Sequence, residues 1–114
     1  MPFHARAGRC YIPAEIAART RLDPRDYATL RDTAALRAAT AEIAEAAAGH
    51  LQAARRNRRE VPRTAQAAML PTVVADRFLL RLMRADYNPF APELAMPDTL
   101  QGWRLFAAAL RGRF

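Results

Sequence analysis

The side chains here whose types could do chemistry are Cys10, His4, His50 and a scatter of carboxylates, and their spacing argues against most of it. Cys10 has arginines nearby that favour a thiolate, but no general base follows at a recognisable spacing, so nucleophilic catalysis is not expected from it. The two histidines lie far apart, with neither HExxH nor a His–carboxylate spacing that would hold zinc. No serine occurs anywhere in the chain, so a serine nucleophile is excluded. Four glycines leave no room for GxGxxG or a Walker loop. Asp23 and Asp26 come nearest to a carboxylate pair and read better as helix-start residues. A single cysteine excludes an intramolecular disulfide framework and a multi-cysteine zinc site.

The net charge of +7 comes from 18 arginines without any lysine. A basic surface suits phosphate, an anionic membrane face or nucleic acid. Exclusive use of arginine points instead to a genome rich in G and C. The arginines at 55–59 match the carbonyl end of a helix dipole, and Arg77, Arg81 and Arg84 read as the wet stripe of a buried helix. The chain shows no RNA-binding signature and no aromatics within the arginine cluster, so a nucleic-acid partner is not expected. The first residues lack serine and a long amphipathic stretch, so a targeting segment is not expected either.

The elements that position these residues are helical. Of 114 residues, 27 are alanine, and valine and isoleucine together number only six. That balance favours helix over strand. An alanine-rich chain of this length has little apolar area to offset chain entropy, so independent folding is marginal. Pro13-Ala14-Glu15-Ile16 and Asp23-Pro24-Arg25-Asp26 are helix starts. Asp32 or Thr33 opens the longest helix, which runs to about Arg59 and stops before Pro62. Its seam of Leu36, Thr40, Ile43, Ala47, His50 and Ala54, with Leu51 beside it, is narrow, and His50 reads as a packed core histidine.

The segment 64–83 is apolar on most sides, with Pro71 kinking or dividing it. A turn at 86–90 and a loop containing Pro92 and Pro97 follow. Asp98 or Thr99 caps a last helix whose Leu100, Trp103, Phe106, Ala107 and Leu110 make one apolar face, with Trp103 and Phe106 read as core; Gly112 ends it. No apolar run approaches the roughly 18 residues of a membrane span. The central helix asks for more neighbours than the chain obviously supplies.

Gly8-Arg9-Cys10-Tyr11-Ile12-Pro13 resembles the Gly-Arg-x-Tyr-Leu-Pro segment of the squalene/phytoene synthase family. The resemblance continues through His50-Leu51, Ala54-Arg55, Val61-Pro62, Ala68-Met69-Leu70-Pro71, Leu79-Leu80-Arg81-Leu82 and Asp86-Tyr87-Asn88-Pro89-Phe90 to the closing aromatic helix. Order and spacing together carry it. It implies an all-α fold: the C-terminal portion of an isoprenoid-synthase-type helical array of about four to six helices, with 1–114 as one partial domain. Active members hold magnesium on two aspartate-rich motifs, so that a prenyl diphosphate can ionise in an apolar pocket.

The resemblance implies that this chain begins at the tail of the second motif, where active members read roughly Asp-x-x-Glu-Asp. Phe3 stands in place of the glutamate and His4 in place of the last aspartate. Phenylalanine cannot ligate Mg²⁺, and neutral imidazole is a poor ligand for it. Pro-Phe/Tyr-His at that point is similar to a non-catalytic, complex I assembly factor-like branch of the family. The preferred reading is therefore a pseudo-synthase or assembly protein with no cofactor, no catalytic residue and no metal ligand. It would bind a protein partner, a missing N-terminal half or a prenyl or lipid-like molecule.

The alternative is the C-terminal part of a magnesium-dependent transferase condensing prenyl diphosphates head to head. Arg9 and Tyr11 match the family's active-site rim and are the candidate substrate-binding residues; packing and a helix-end pairing are their plainer roles. The expected location is cytoplasmic, with at most peripheral contact at the inner face of a membrane.

Overall fold

The computed structural model describes residues 4, 5, 7, 9–62, 65 and 68–111. Among them lie α1 (Ala14–Thr20), α2 (Pro24–Ala28), α3 (Ala34–Arg56), a 3-10 turn (Asn57–Glu60), α4 (Pro71–Arg84), α5 (Pro92–Ala95) and α6 (Gln101–Arg111), and no strand. The all-α class expected from the sequence is observed. Phe3, Gly8, Thr64 and Gly112 fall outside the described residues.

Side-chain capping explains the starts of α2 and α3. Asp23 accepts a hydrogen bond from the Arg25 N–H at 2.8 Å, and Pro24 occupies the first turn of α2, where its missing N–H costs nothing. Thr33 accepts from the Leu36 N–H at 3.3 Å and opens α3. The α-helix closes at Arg56, earlier than expected, and Asn57–Glu60 tightens into a 3-10 turn. Pro62 explains this, because a residue before proline is pushed out of helical geometry and Val61 is already extended. Pro71 divides the 64–83 segment rather than kinking it, and α4 begins there. The loop after the 86–90 turn is interrupted by one helical turn, α5, with Pro92 in its first turn.

Several helices end on left-handed residues that are not glycine. Arg21 (φ 56°), Leu30 (φ 58°) and Asp86 (φ 51°) each sit just past a helix. Beyond each, the next N–H reaches back five residues, as Leu22 does to the Ala17 carbonyl at 2.9 Å and Tyr87 to that of Leu82 at 2.9 Å. Leu30 packs on the core, whereas Arg21 is exposed, so its left-handed backbone is offset by cap hydrogen bonds that a glycine would also make. Arg21→Gly should therefore stabilise the chain by about 0.5–1 kcal/mol, read as a rise in urea midpoint with unchanged slope.

The core gathers at the N-terminal end of α3. Leu36 and Ala39 are fully buried there with Tyr27, Leu22 and Ala5, and Ile12, Ile16, Ala17 and Phe90 pack against them. Further along, α3 and α4 draw apart. The radius of gyration, 16.1 Å, exceeds the roughly 13 Å of a closed domain of this length. The last helix departs most from expectation. Trp103, Phe106, Leu100 and Leu110 do not form core; they are 54–73 % exposed. Leu105 and Arg104 instead turn towards α4.

Ion pairs tie the layer together. Arg19 meets Glu42 at 2.5 Å, joining α1 to α3. Arg37 meets Asp32 at 2.5 Å and also pairs with Asp86, while the Asn88 amide donates to Asp32 at 3.0 Å. The 86–90 turn is thereby stapled to the start of α3. Arg37 holds Asp32, and Arg19 holds Glu42, below the usual carboxylate range through their hydrogen bonds. Burial pushes Asp98 up, but the Arg104 hydrogen bond, the Leu100 N–H and nearby arginine charge outweigh it and leave Asp98 lowered.

A carboxyl depressed in the folded state adds stability above its unfolded value, and that stability is lost as pH falls through the folded value. The melting midpoint should therefore fall with acid below about pH 4, and Asp32→Asn should reduce the slope of that fall.

Candidate functional site

Where α3 and α4 draw apart they leave an apolar cavity of about 750 Å³, open to solvent. Its α3 wall is the seam seen in the sequence, from Thr40 and Ile43 through Ala47 to Leu51 and Ala54. Ala75, Phe78, Leu79 and Leu82 of α4 form the opposite wall. Small residues along α3 leave volume that larger side chains would fill. Tyr11, Tyr27 and Pro89 close the end nearest the core.

Tyr27 is 3 % exposed and lies against Phe90, with ring centroids 5.8 Å apart. Burial pushes its phenol pKa up. Thr40 is also buried, and its hydroxyl donates to the Leu36 carbonyl at 2.8 Å, so its polar atom is satisfied within α3. The lining includes no aspartate, glutamate or arginine.

The two candidate rim residues part company. Tyr11 lines the mouth, 63 % exposed, and its ring meets His4 edge-on at 5.2 Å. Arg9 is exposed and outside the lining, its backbone N–H donating to the His4 carbonyl at 2.8 Å. Cys10 is exposed between them. His50 is not a packed core histidine; it is exposed and lines the cavity, and no described element covers this stretch of α3.

Two arginines also do more than their sequence reading. Arg55 pairs with Asp76 and bridges α3 to α4, rather than ending a helix in solvent. Arg81 donates to the carbonyls of Glu93 and of Met96, the latter at 2.8 Å, and clamps α5 to α4. The family resemblance implies an apolar pocket, but the sequence does not show that α3 lines it: that wall reads equally well as a seam for a close-packed helix. The absence of a bulky residue at 44, 47 and 54 was the available signal.

Magnesium takes oxygen ligands, several of them carboxylate. The polar lining consists of Tyr11, Tyr27, Thr40 and His50, and the nearby His4 offers only imidazole. Among the described residues, no group of three or more His, Cys, Asp or Glu could hold a metal ion. The donor set present does not fit Mg²⁺. Also among the described residues, no helix is long and apolar enough to cross a membrane.

The Mus musculus protein named NADH dehydrogenase (ubiquinone) complex I, assembly factor 6, is 26 % identical over 113 residues, covering 99 % of this chain and 34 % of the relative. The Homo sapiens protein of the same name is 29 % identical over 110 residues, covering 90 % of this chain and 33 % of the relative. The chain thus spans about a third of the length of the curated relatives it matches. No solved structure matches it significantly. The squalene/phytoene synthase model matches residues 1–109, nearly the whole chain, and the chain belongs to that family.

Proposed function

We propose that this chain is a non-catalytic member of its family, a pseudo-synthase serving protein assembly and requiring no cofactor. The observation that carries this is the donor set: an apolar cavity without a carboxylate in its lining, and His4 beside Tyr11 where the family pattern calls for aspartate. The names of the matched relatives, assembly factors of a respiratory complex, support a protein partner of that kind. In this reading Tyr11 stands at the mouth of the cavity, and Arg9, outside its lining, has no substrate role.

The test is gene disruption in the source cells. Assembled NADH:ubiquinone oxidoreductase should fall, while head-to-head prenyl products stay unchanged. The opposite pattern would overturn the proposal.

A second reading, the C-terminal part of a magnesium-dependent prenyltransferase, draws on the same cavity, whose volume and apolar walls suit a prenyl chain. Magnesium-dependent diphosphate release from a prenyl diphosphate by the purified 114-residue chain would favour this second reading.

A further inference from the structure

The turn after α4 is built on two consecutive left-handed residues, Asp86 (φ 51°) and Tyr87 (φ 57°), neither of them glycine. Left-handed backbone drives a Cβ against the following carbonyl, a cost that a short polar side chain eases and a tyrosine does not. Helix-end hydrogen bonds, from the Tyr87 N–H to the Leu82 carbonyl at 2.9 Å and from Asn88 to Ala85 at 3.1 Å, offset part of it.

The rest of the hold comes from another element. In the first turn of α3, Arg37 donates from its Nε to Asp32 Oδ1 at 2.7 Å. A terminal nitrogen of the same guanidinium pairs with the Asp86 carboxylate and reaches the Asp86 carbonyl at 3.5 Å. Asp32 in turn accepts from the Asn88 amide at 3.0 Å, and the Asn88 side-chain oxygen accepts from the Phe90 N–H at 2.9 Å. One guanidinium thus fixes the turn twice, directly at Asp86 and through Asp32 at Asn88. The next two residues do the covering. Pro89 lines the inner end of the cavity, and the Phe90 ring lies 5.8 Å from that of Tyr27, which is 3 % exposed.

The Asp86 side chain is 80 % exposed. Ion pairs in that setting are weak and screened by salt, so the hold and the backbone cost it opposes are of similar size. A strained segment kept in place by so small a surplus has a second arrangement within reach. The geometry points to an ionic latch: Arg37 keeps the strained 86–90 turn shut over the inner end of the cavity, and loss of its contacts lets the turn relax and uncover Tyr27. The latch stands apart from the assembly reading and holds for an assembly protein or an enzyme.

The tyrosines report on it. Tyr11 is 63 % exposed and serves as the reference, while Tyr27 becomes reactive only when the turn opens. The intact chain is treated briefly with tetranitromethane, and the nitration of Tyr27 relative to Tyr11 is read by peptide mass spectrometry. Amide hydrogen exchange over 84–92 is compared with that over 14–22. Arg37→Gln should raise the Tyr27 ratio about fivefold and speed exchange over 84–92 about tenfold, with 14–22 changed less than about twofold. Salt at about 0.5 M should move the unaltered chain in the same direction by a smaller factor, an arm that needs no variant. Adding Tyr87→Gly to Arg37→Gln should return both readings towards their starting values, because glycine adopts the left-handed backbone freely. A merely structural ion pair would not be rescued by a glycine in the turn. Unchanged Tyr27 nitration, equal acceleration over both segments, or no rescue by the glycine would each overturn the proposal.

Discussion

Leu36→Ala will destabilise the fold by about 2–5 kcal/mol, the cost of a lost side chain plus the cavity it leaves. Leu36 is fully buried and is the largest side chain so enclosed. It lies in the first turn of α3, where Tyr27 and Leu22 from neighbouring segments complete the same cluster. The other buried positions of α3, Ala39, Thr40 and Ala44, carry only small side chains, and one wall of the helix faces an open cavity. Small domains have only about 5–15 kcal/mol in total, so this one change should remove a large share and lower the urea midpoint in proportion. A loss under about 1 kcal/mol would mean that the helices collapse onto the gap, and that the packing at this end is looser than described.

Tyr27→Ala is expected to cost about 3–5 kcal/mol and to act on the cavity as well as the core. Tyr27 belongs to both: it is buried against the α3 cluster and lines the cavity's inner end. Its ring tilts 47° to that of Phe90 in the turn stapled by Asn88 and Asp32. A double-mutant cycle with Phe90→Ala should give a coupling of about 0.5–1.5 kcal/mol. Additive effects would instead make the two rings independent and leave the staple polar only.

Much of the fold was legible residue by residue. Asp23 and Thr33 cap because a short polar side chain before an apolar run has a backbone N–H to satisfy, which is local chemistry. Pro71 and Pro62 mark boundaries for an equally local reason, the missing N–H and the restricted residue before it. The family motif at 86–90 was legible as a turn. Its role as a staple was not, since Asp32 and Arg37 approach it from more than 45 residues away in sequence. Apolar periodicity also misplaced the last helix. An amphipathic stripe shows that a helix has a face to cover, but not that this chain covers it, and Trp103 and Phe106 lie on the uncovered side.

The sequence by itself therefore determined the helical class, the helix starts and the family pattern. Each depends on residue identity and on spacing within a few turns. The tertiary structure alone decided that the α3 seam lines a cavity and that His50 is exposed along it. It also decided that Arg55 and Arg81 bridge elements, and that α6 presents its aromatics outward. These outcomes depend on how far apart two helices settle and which face each turns inward. That is a balance of packing over the whole chain, which the pattern of one segment does not contain.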